Sequence, residues 1–344
     1  MKLGILGLGR AGKGMHLPEL KNFADKIEIY AVCDLIEERR NEVAEKYGCK
    51  AYADYTEMLK DPEIEVVSVA TLSCDHYEHA MMALKAGKKV FVEKPMCTTF
   101  EDARKLVEYA KSLGEEKLFV RHNRRFEKLF MKVEEIINSG VLGDVYMVKL
   151  TRNGFQFRND WQTLEQYGGG QLLNWGPHVV DQALRFCGGT YEKLECADRR
   201  LVNASGNCED VIKATFRGTN GRLVDIELNM ASAINGPIYT VYGTRGTLID
   251  EGTTLKLKYI KPGVEKERRE PNPNSAEMTG FGYSGNLEWI EETVDASDYY
   301  LSETYNYVYE SVKEGKPYPV TLDQALEVMR AIDDIKANSQ LIKY

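Results

Sequence analysis

Six residues near the start constrain this chain more than any others. Gly7-Leu8-Gly9-Arg10-Ala11-Gly12 stands between the apolar run Leu3–Leu8 and a stretch compatible with a helix. A lone Gly-x-Gly-x-x-Gly is common, but between a strand and a helix each glycine has a physical use. Gly7 permits a tight turn, Gly9 lets the backbone approach a pyrophosphate, and Gly12 allows close helix–strand packing. The helix N-terminus then offers unpaired N–H groups and a positive dipole to phosphates. Asp34 ends the next apolar run, about twenty residues on, where an acidic side chain reads the ribose hydroxyls of a dinucleotide. Such a carboxylate accepts from a free 2′-hydroxyl and repels a 2′-phosphate, so NAD is expected rather than NADP. The competing reading of Asp34 is an N-cap for a helix beginning near Glu37. Arg39 and Arg40 read as helical surface charge.

The rhythm around this motif predicts the fold class. Leu3–Leu8, Ile27–Cys33, Val66–Thr71, Lys89–Glu93 and Lys117–Val120 read as strands. Glu37–Tyr47, Tyr55–Lys60, Tyr77–Ala86 and Phe100–Leu113 read as the helices between them. Strands separated by single helices imply a doubly wound parallel sheet, here over residues 1–121. From residue 122 the rhythm changes. Helices are expected at Phe126–Ser139 and Gln171–Phe186, with a strand at Val145–Thr151 between them. Further strands are expected at Lys193–Val202, Val211–Arg217, Arg222–Met230, Ile238–Tyr242, Thr247–Asp250 and Thr254–Ile260. Tight turns between them predict an α+β second domain, 122–344, with a large open and mainly antiparallel sheet. Lys261–Ser284, rich in charge, Pro and Gly, reads as an exposed excursion. Helices at Tyr299–Glu314 and Leu322–Asn338 close the chain.

Composition excludes several function classes. The net charge of −8 disfavours nucleic acid, and no apolar run approaches the ~18 residues of a membrane span. Met1 leads straight into the first strand without a secretory leader pattern, so a cytoplasmic protein is expected. The seven cysteines include no Cys-x-x-Cys pair and sit in or beside apolar runs. Free, mostly buried thiols fit that pattern, and nothing in the spacing supports a metal site.

The segment Val90-Phe91-Val92-Glu93-Lys94-Pro95 places Lys-Pro directly after a strand, at the sheet edge where cofactors bind. It resembles the Glu-Lys-Pro motif of the Gfo/Idh/MocA oxidoreductases. Val69-Ala70-Thr71 followed by His76 resembles the family's strand-end Thr and helix-start His, with Leu72 and Ser73 where Pro-Asn is usual. Asn123-Arg124-Arg125-Phe126 is similar to its domain-crossing motif. The stretch Gly168 to Asp181, GGGQLLNWGPHVVD, resembles its second-domain signature, with Asn174 where the family usually has Asp. Glu209-Asp210 and Gly243-Thr244-Arg245-Gly246 match lesser landmarks. The resemblance spans nearly the whole chain. It implies a Rossmann domain, a C-terminal sheet domain that pairs subunits as a homodimer or homotetramer, and a final helix packed back on the first domain. It also implies sugar, cyclitol or related polyol substrates and a cis Lys94–Pro95 bond.

Alcohol oxidation needs a base for the hydroxyl proton while hydride leaves for the nicotinamide, and neutral His suits that role near pH 7. His178 follows Asn174 by one helical turn, so both can reach one substrate. Lys94 can stabilise a developing alkoxide. Lys94, His178 and Asn174 are thus the expected catalytic set. Gly7, Gly9, Arg10, Ala11, Gly12, Asp34, Thr71, His76, Glu93 and Lys94 are the expected cofactor contacts. Alone, His178 would read as a core histidine and Lys94 as a surface lysine; their motifs reverse that. His16, His79 and His122 have weaker claims, and Trp161, Tyr167 and Trp175 can face a sugar ring or fill the core. Two other functions share these residues: an NAD-dependent glycosidase using transient sugar oxidation, and a non-catalytic sensor.

Overall fold

The structure, a computed structural model, describes residues 1–266, 270–271, 273, 287–297 and 303–344, with Glu115 described by its backbone alone. Six parallel strands form the first sheet: β1 Lys2–Leu6, β2 Glu28–Cys33, β3 Lys50–Tyr52, β4 Val66–Val69, β5 Lys89–Val92 and β6 Leu118–Val120. Their order is β3-β2-β1-β4-β5-β6. Helices cover both faces, so these strands are continuous apolar runs; all four residues of β4 are buried. The order reverses between β1 and β4, which opens a crevice at the carboxyl ends of the strands. Gly7, Thr71 and Lys94 all follow strand ends on that one edge.

The second sheet has nine strands in the order β14-β13-β12-β11-β7-β10-β9-β8-β15. These are β7 Val145–Asn153, β8 Tyr191–Leu201, β9 Val211–Gly218, β10 Leu223–Asn229, β11 Tyr239–Gly243, β12 Gly246–Asp250, β13 Thr254–Ile260, β14 Trp289–Asp295 and β15 Leu341–Lys343. Among the described residues, only β7–β10 and β8–β15 of this sheet pair in parallel. Burial alternates strictly along β9 and β10, so one face is covered. The fold is the expected doubly wound sheet joined to a mainly antiparallel one.

The differences are local. Strands β3, β14 and β15 lie outside the expected elements; two have three residues each, and Glu291 and Glu292 hide β14 at a sheet edge. The helix expected over Gln171–Phe186 breaks at Trp175 into Gln171–Asn174 and Gly176–Phe186. Pro177 lacks an N–H, which suits it to the first turn of a helix rather than to its interior. The helix after the glycine loop carries a π-turn at Gly12–His16, which periodicity does not reveal. Most of the excursion at Lys261–Ser284, and the expected helix start at Tyr299, lie outside the described residues. All seven cysteines are free, and four are buried. No helix among the described residues is long and apolar enough to cross a membrane.

The chain returns to its first domain at the end. Tyr305 and Val308, on the helix Thr304–Glu314, join the apolar cluster of Leu3, Ile5, Leu20, Phe91 and Phe119. The helix Leu322–Ala337 opens on a capping box at Thr321 and Gln324 and lies against both Phe100–Leu113 and Gly176–Phe186.

Candidate active site

The three glycines of the loop are glycine for different reasons. Gly7 has a φ of +90°, and a Cβ there would sit 2.6 Å from the Ala70 carbonyl oxygen. At Gly12 a Cβ would lie 1.9 Å from the Gly7 carbonyl oxygen, so the helix meets the turn backbone to backbone. Gly9 has nothing within 4 Å of a Cβ. Protein packing explains the first and third; the open space at Gly9 fits a ligand backbone, as a pyrophosphate requires. Asp34 holds this loop: Leu8 donates its N–H to Oδ2 at 2.7 Å, and Ile36 donates to Oδ1 at 2.9 Å. The helix N-cap is Ile36, with no side-chain cap, so Asp34 is not the helix's capping residue. Arg40 is folded back onto the carbonyl oxygens of Asp34 and Leu35. Arg10 is exposed at the start of the glycine-loop helix, and Ala11 follows it.

At the end of β5 the Lys94–Pro95 peptide is cis. Two neighbours there have opposite surroundings. Glu93 is buried and takes bonds from Arg121 (2.9 Å), His16 (2.8 Å) and the Lys94 N–H (3.1 Å). Burial alone would raise its carboxyl, but Arg121 and His16 hold it well below the usual carboxylate range. The carboxylate only accepts, so Nε2 of His16 carries the proton and Nδ1 accepts from Tyr305 (2.6 Å) or Ser68 (3.0 Å). Arg121 also pairs with Glu19, which caps the closing helix through Thr304 and the Tyr305 N–H.

Lys94 points the other way. Its ammonium donates to the Asn174 carbonyl oxygen at 2.8 Å across the domain boundary. Burial lowers it to about 8, with Arg124, Arg121 and Arg10 pushing further and Glu93 opposing. His76 donates from Nδ1 to the Pro95 carbonyl at 2.7 Å, with the Thr71 carbonyl 3.3 Å from Nε2, so it clasps two loops. The Thr71 hydroxyl meets His79 at 3.0 Å.

The triple-glycine turn brings the second domain to this edge. A Cβ on Gly168 would strike Thr98, and one on Gly170 would strike Glu209. Glu209 in turn receives the Leu172 N–H at 3.0 Å. The turn delivers Asn174, Trp175 and His178. Burial, then the charges of Lys94 and Arg124, push His178 well below its ordinary value, so it is a neutral imidazole. Its Nδ1 is buried without a hydrogen-bond partner among the described residues. Asp181 is committed to Arg125 through Nε at 3.0 Å and a second, terminal-nitrogen contact.

The structure thus gathers Lys94, Asn174 and His178 at one place and the glycine loop, Asp34, Thr71 and Glu93 along the same sheet edge. Thr71 and His76 face protein partners. Sequence reasoning gave no role to Arg124 and Arg152, whose guanidinium carbons lie 4.3 and 5.5 Å from the Trp175 ring centre. It also passed over Gln162, whose amide donates to Asn174 Oδ1 at 3.4 Å. Arg124 stood inside a quoted motif; the other two carried no signal along the chain.

Residues 1–122 match the model of an oxidoreductase family with an NAD-binding Rossmann fold, and residues 130–249 match the GFO/IDH/MocA C-terminal domain. The chain belongs to the Gfo/Idh/MocA oxidoreductases. It is 29% identical to scyllo-inositol 2-dehydrogenase (NADP(+)) of Bacillus subtilis, over 99% of this chain and 94% of that one. Myo-inositol 2-dehydrogenase of Thermotoga maritima is 32% identical over 75% of this chain and 78% of its own. An NAD-binding protein from Listeria innocua superposes with a TM-score of 0.80 at 26% identity, covering 98% of this chain and 94% of that one. This Gfo/Idh/MocA chain is therefore an oxidoreductase with a nicotinamide-dinucleotide domain.

Proposed function

We propose that this protein is an NAD-dependent dehydrogenase that oxidises a CH–OH group of a sugar, cyclitol or related polyol. One observation carries the reading: the Lys94 ammonium reaches across to the Asn174 carbonyl, beside a neutral His178 whose pKa its charge depresses. The inositol specificity named for two relatives supports the substrate class. Bound NAD supplies the hydride acceptor. Gly7, Gly9 and Gly12 would seat its pyrophosphate with Arg10 and Ala11, and Asp34 its adenosine ribose. His178 accepts the hydroxyl proton through Nε2, and Lys94 holds its charge beside the oxygen left behind. Asn174 orients a substrate hydroxyl. Asp34 and the committed Arg40 support NAD over NADP, in contrast to the cofactor named for the Bacillus relative. Residues 1–121 act as the cofactor domain and 122–344 as the substrate and assembly domain of a cytoplasmic homodimer or homotetramer. The test is NADH formation with a panel of sugars, inositols and polyols, alongside calorimetric titration of NAD and NADP. Absence of turnover across the panel in protein shown to bind NAD refutes the dehydrogenase reading, and equal or tighter NADP binding refutes the cofactor preference.

A further inference from the structure

The cations around the site differ in how fully they are paired. Arg121 and Lys94 face Glu93 and Glu19, and Arg125 faces Asp181. Arg124 and Arg152 both meet the buried Glu127, Arg152 at 2.8 Å and Arg124 through one terminal nitrogen, and Arg152 also faces the buried Asp250. Asn174 adds no carboxylate. Among the described residues Arg124 has only this shared carboxylate, and it packs on Trp175, between Asn174 and the ring of His178.

The geometry also leaves that charge usable. Arg124 spends one terminal nitrogen on Glu127, and its Nε and other terminal nitrogen have no partner among the described residues. Trp175, against which the guanidinium lies at 4.3 Å, fixes the plane of the fork. A planar fork with free donors matches a carboxylate two bonds at a time. Gln162 donates to Asn174 Oδ1, which turns the Asn174 NH2 toward acceptors as well. The free groups here, Lys94, Arg124 and the Asn174 amide, all donate.

We propose that the physiological substrate carries a carboxylate near the oxidised CH–OH, a sugar acid, read by Arg124 with Arg152 and Glu127 setting its charge. This rests on the dehydrogenase reading above. One guanidinium that already shares Glu127 fits the single charge of a carboxylate better than a phosphate monoester, which carries roughly −1.5 to −2 at neutral pH. No covalent or redox step is added; the site selects the substrate.

The experiment compares matched pairs: neutral aldoses, their uronates and their 6-phosphates, each assayed with saturating NAD. At least one uronate should exceed its neutral parent in kcat/KM by about 10- to 100-fold, chiefly through KM, as a charge-assisted hydrogen-bond pair gives. Arg124→Gln and Arg152→Gln should each reduce that ratio by about 10-fold or more, and Arg152→Lys should restore part of it. Asn174→Asp, which adds a carboxylate without touching either arginine, should also reduce the ratio. Neutral sugars oxidised as well as their uronates, or phosphates preferred to uronates, overturn the inference and leave the dehydrogenase reading standing. Calorimetric binding of a uronate but not of its neutral parent to NADH-loaded protein, without turnover of any substrate, defeats the dehydrogenase reading and with it the substrate assignment, and leaves Arg124 only as a carboxylate-binding group. Neither binding nor turnover overturns both.

Discussion

Replacing Lys94 with Met should stabilise the free protein while removing its activity. The ammonium is half-buried, and burial with the neighbouring guanidinium groups lowers it from the ordinary 10.5 to about 8. That gap of about 2.5 units corresponds to roughly 3 kcal/mol, at 1.36 kcal/mol per unit. Met removes the charge and keeps a chain of similar length, but leaves the Asn174 carbonyl without its donor, a loss of about 1 kcal/mol. A net gain of about 2 kcal/mol at pH 7 follows from these two magnitudes.

The pH dependence fixes the sign. Between about 8 and 10.5 the unfolded chain holds the Lys94 proton and the folded protein has released it. Stability of the parent therefore rises with pH through that window. Below about 8 the penalty is fully present, so the advantage of Met is greatest there; above 10.5 the penalty is gone and only the lost hydrogen bond remains. Urea unfolding of parent and variant without cofactor, at pH 7 and at pH 10, reads this directly. A variant less stable than the parent at pH 7, or equally stabilised at both pH values, refutes the reasoning. Turnover should fall by about 10²-fold or more, and retention of it removes Lys94 from the chemistry.

Three other substitutions test separate parts of the site. Gly12→Ala should destabilise the protein and abolish NAD binding, because its Cβ must displace the Gly7 carbonyl; Gly9→Ala should leave the melting temperature nearly unchanged yet weaken NAD in calorimetry. Asp34→Ala should weaken NAD by about 10-fold or more, since it loses both the ribose contact and the Leu8 N–H anchor, a charge-assisted bond. Unchanged NAD affinity would make Asp34 a loop brace alone. Asn174→Asp should move the acid limb of the oxidation pH–rate profile to higher pH, because a nearby carboxylate favours protonated His178; a limb that stays in place shows that position 174 does not sense His178.

The parallel sheet was legible because its strands are buried on both faces and its turn glycines have fixed offsets. Gly7 and Gly12 each stop a Cβ from meeting a carbonyl oxygen, a constraint that leaves its mark in the sequence. His16 was not legible. It reaches Glu93 from a π-turn and meets Tyr305 from the far end of the chain, and neither relation has a period or a spacing. Arg152 likewise is one of several charged residues on a strand, and only the folded sheet sets it beside Glu127 and Trp175. The break at Trp175 was written in Gly176-Pro177, but the apolar periodicity on both sides masked it.

Glu93 and Lys94 show how one strand end can hold two ionisable groups in different settings. Successive residues of an extended chain face opposite ways. Glu93 turns into the first domain, where Arg121 and His16 compensate its burial, and it stays ionised. Lys94 turns into the cleft, where its ammonium bonds the Asn174 carbonyl and only Glu93 opposes the effect of burial, which leaves it at about 8. Both groups are pushed toward deprotonation, but only Lys94 is brought near neutral pH by it. The closing helix is part of that arrangement, since Glu19 and Tyr305 tie it to Arg121 and His16, the two groups that keep Glu93 charged. Without Glu93 held as an anion, burial and the guanidinium groups nearby would depress Lys94 further, and the proposed partner of the substrate oxygen would lose its charge at neutral pH.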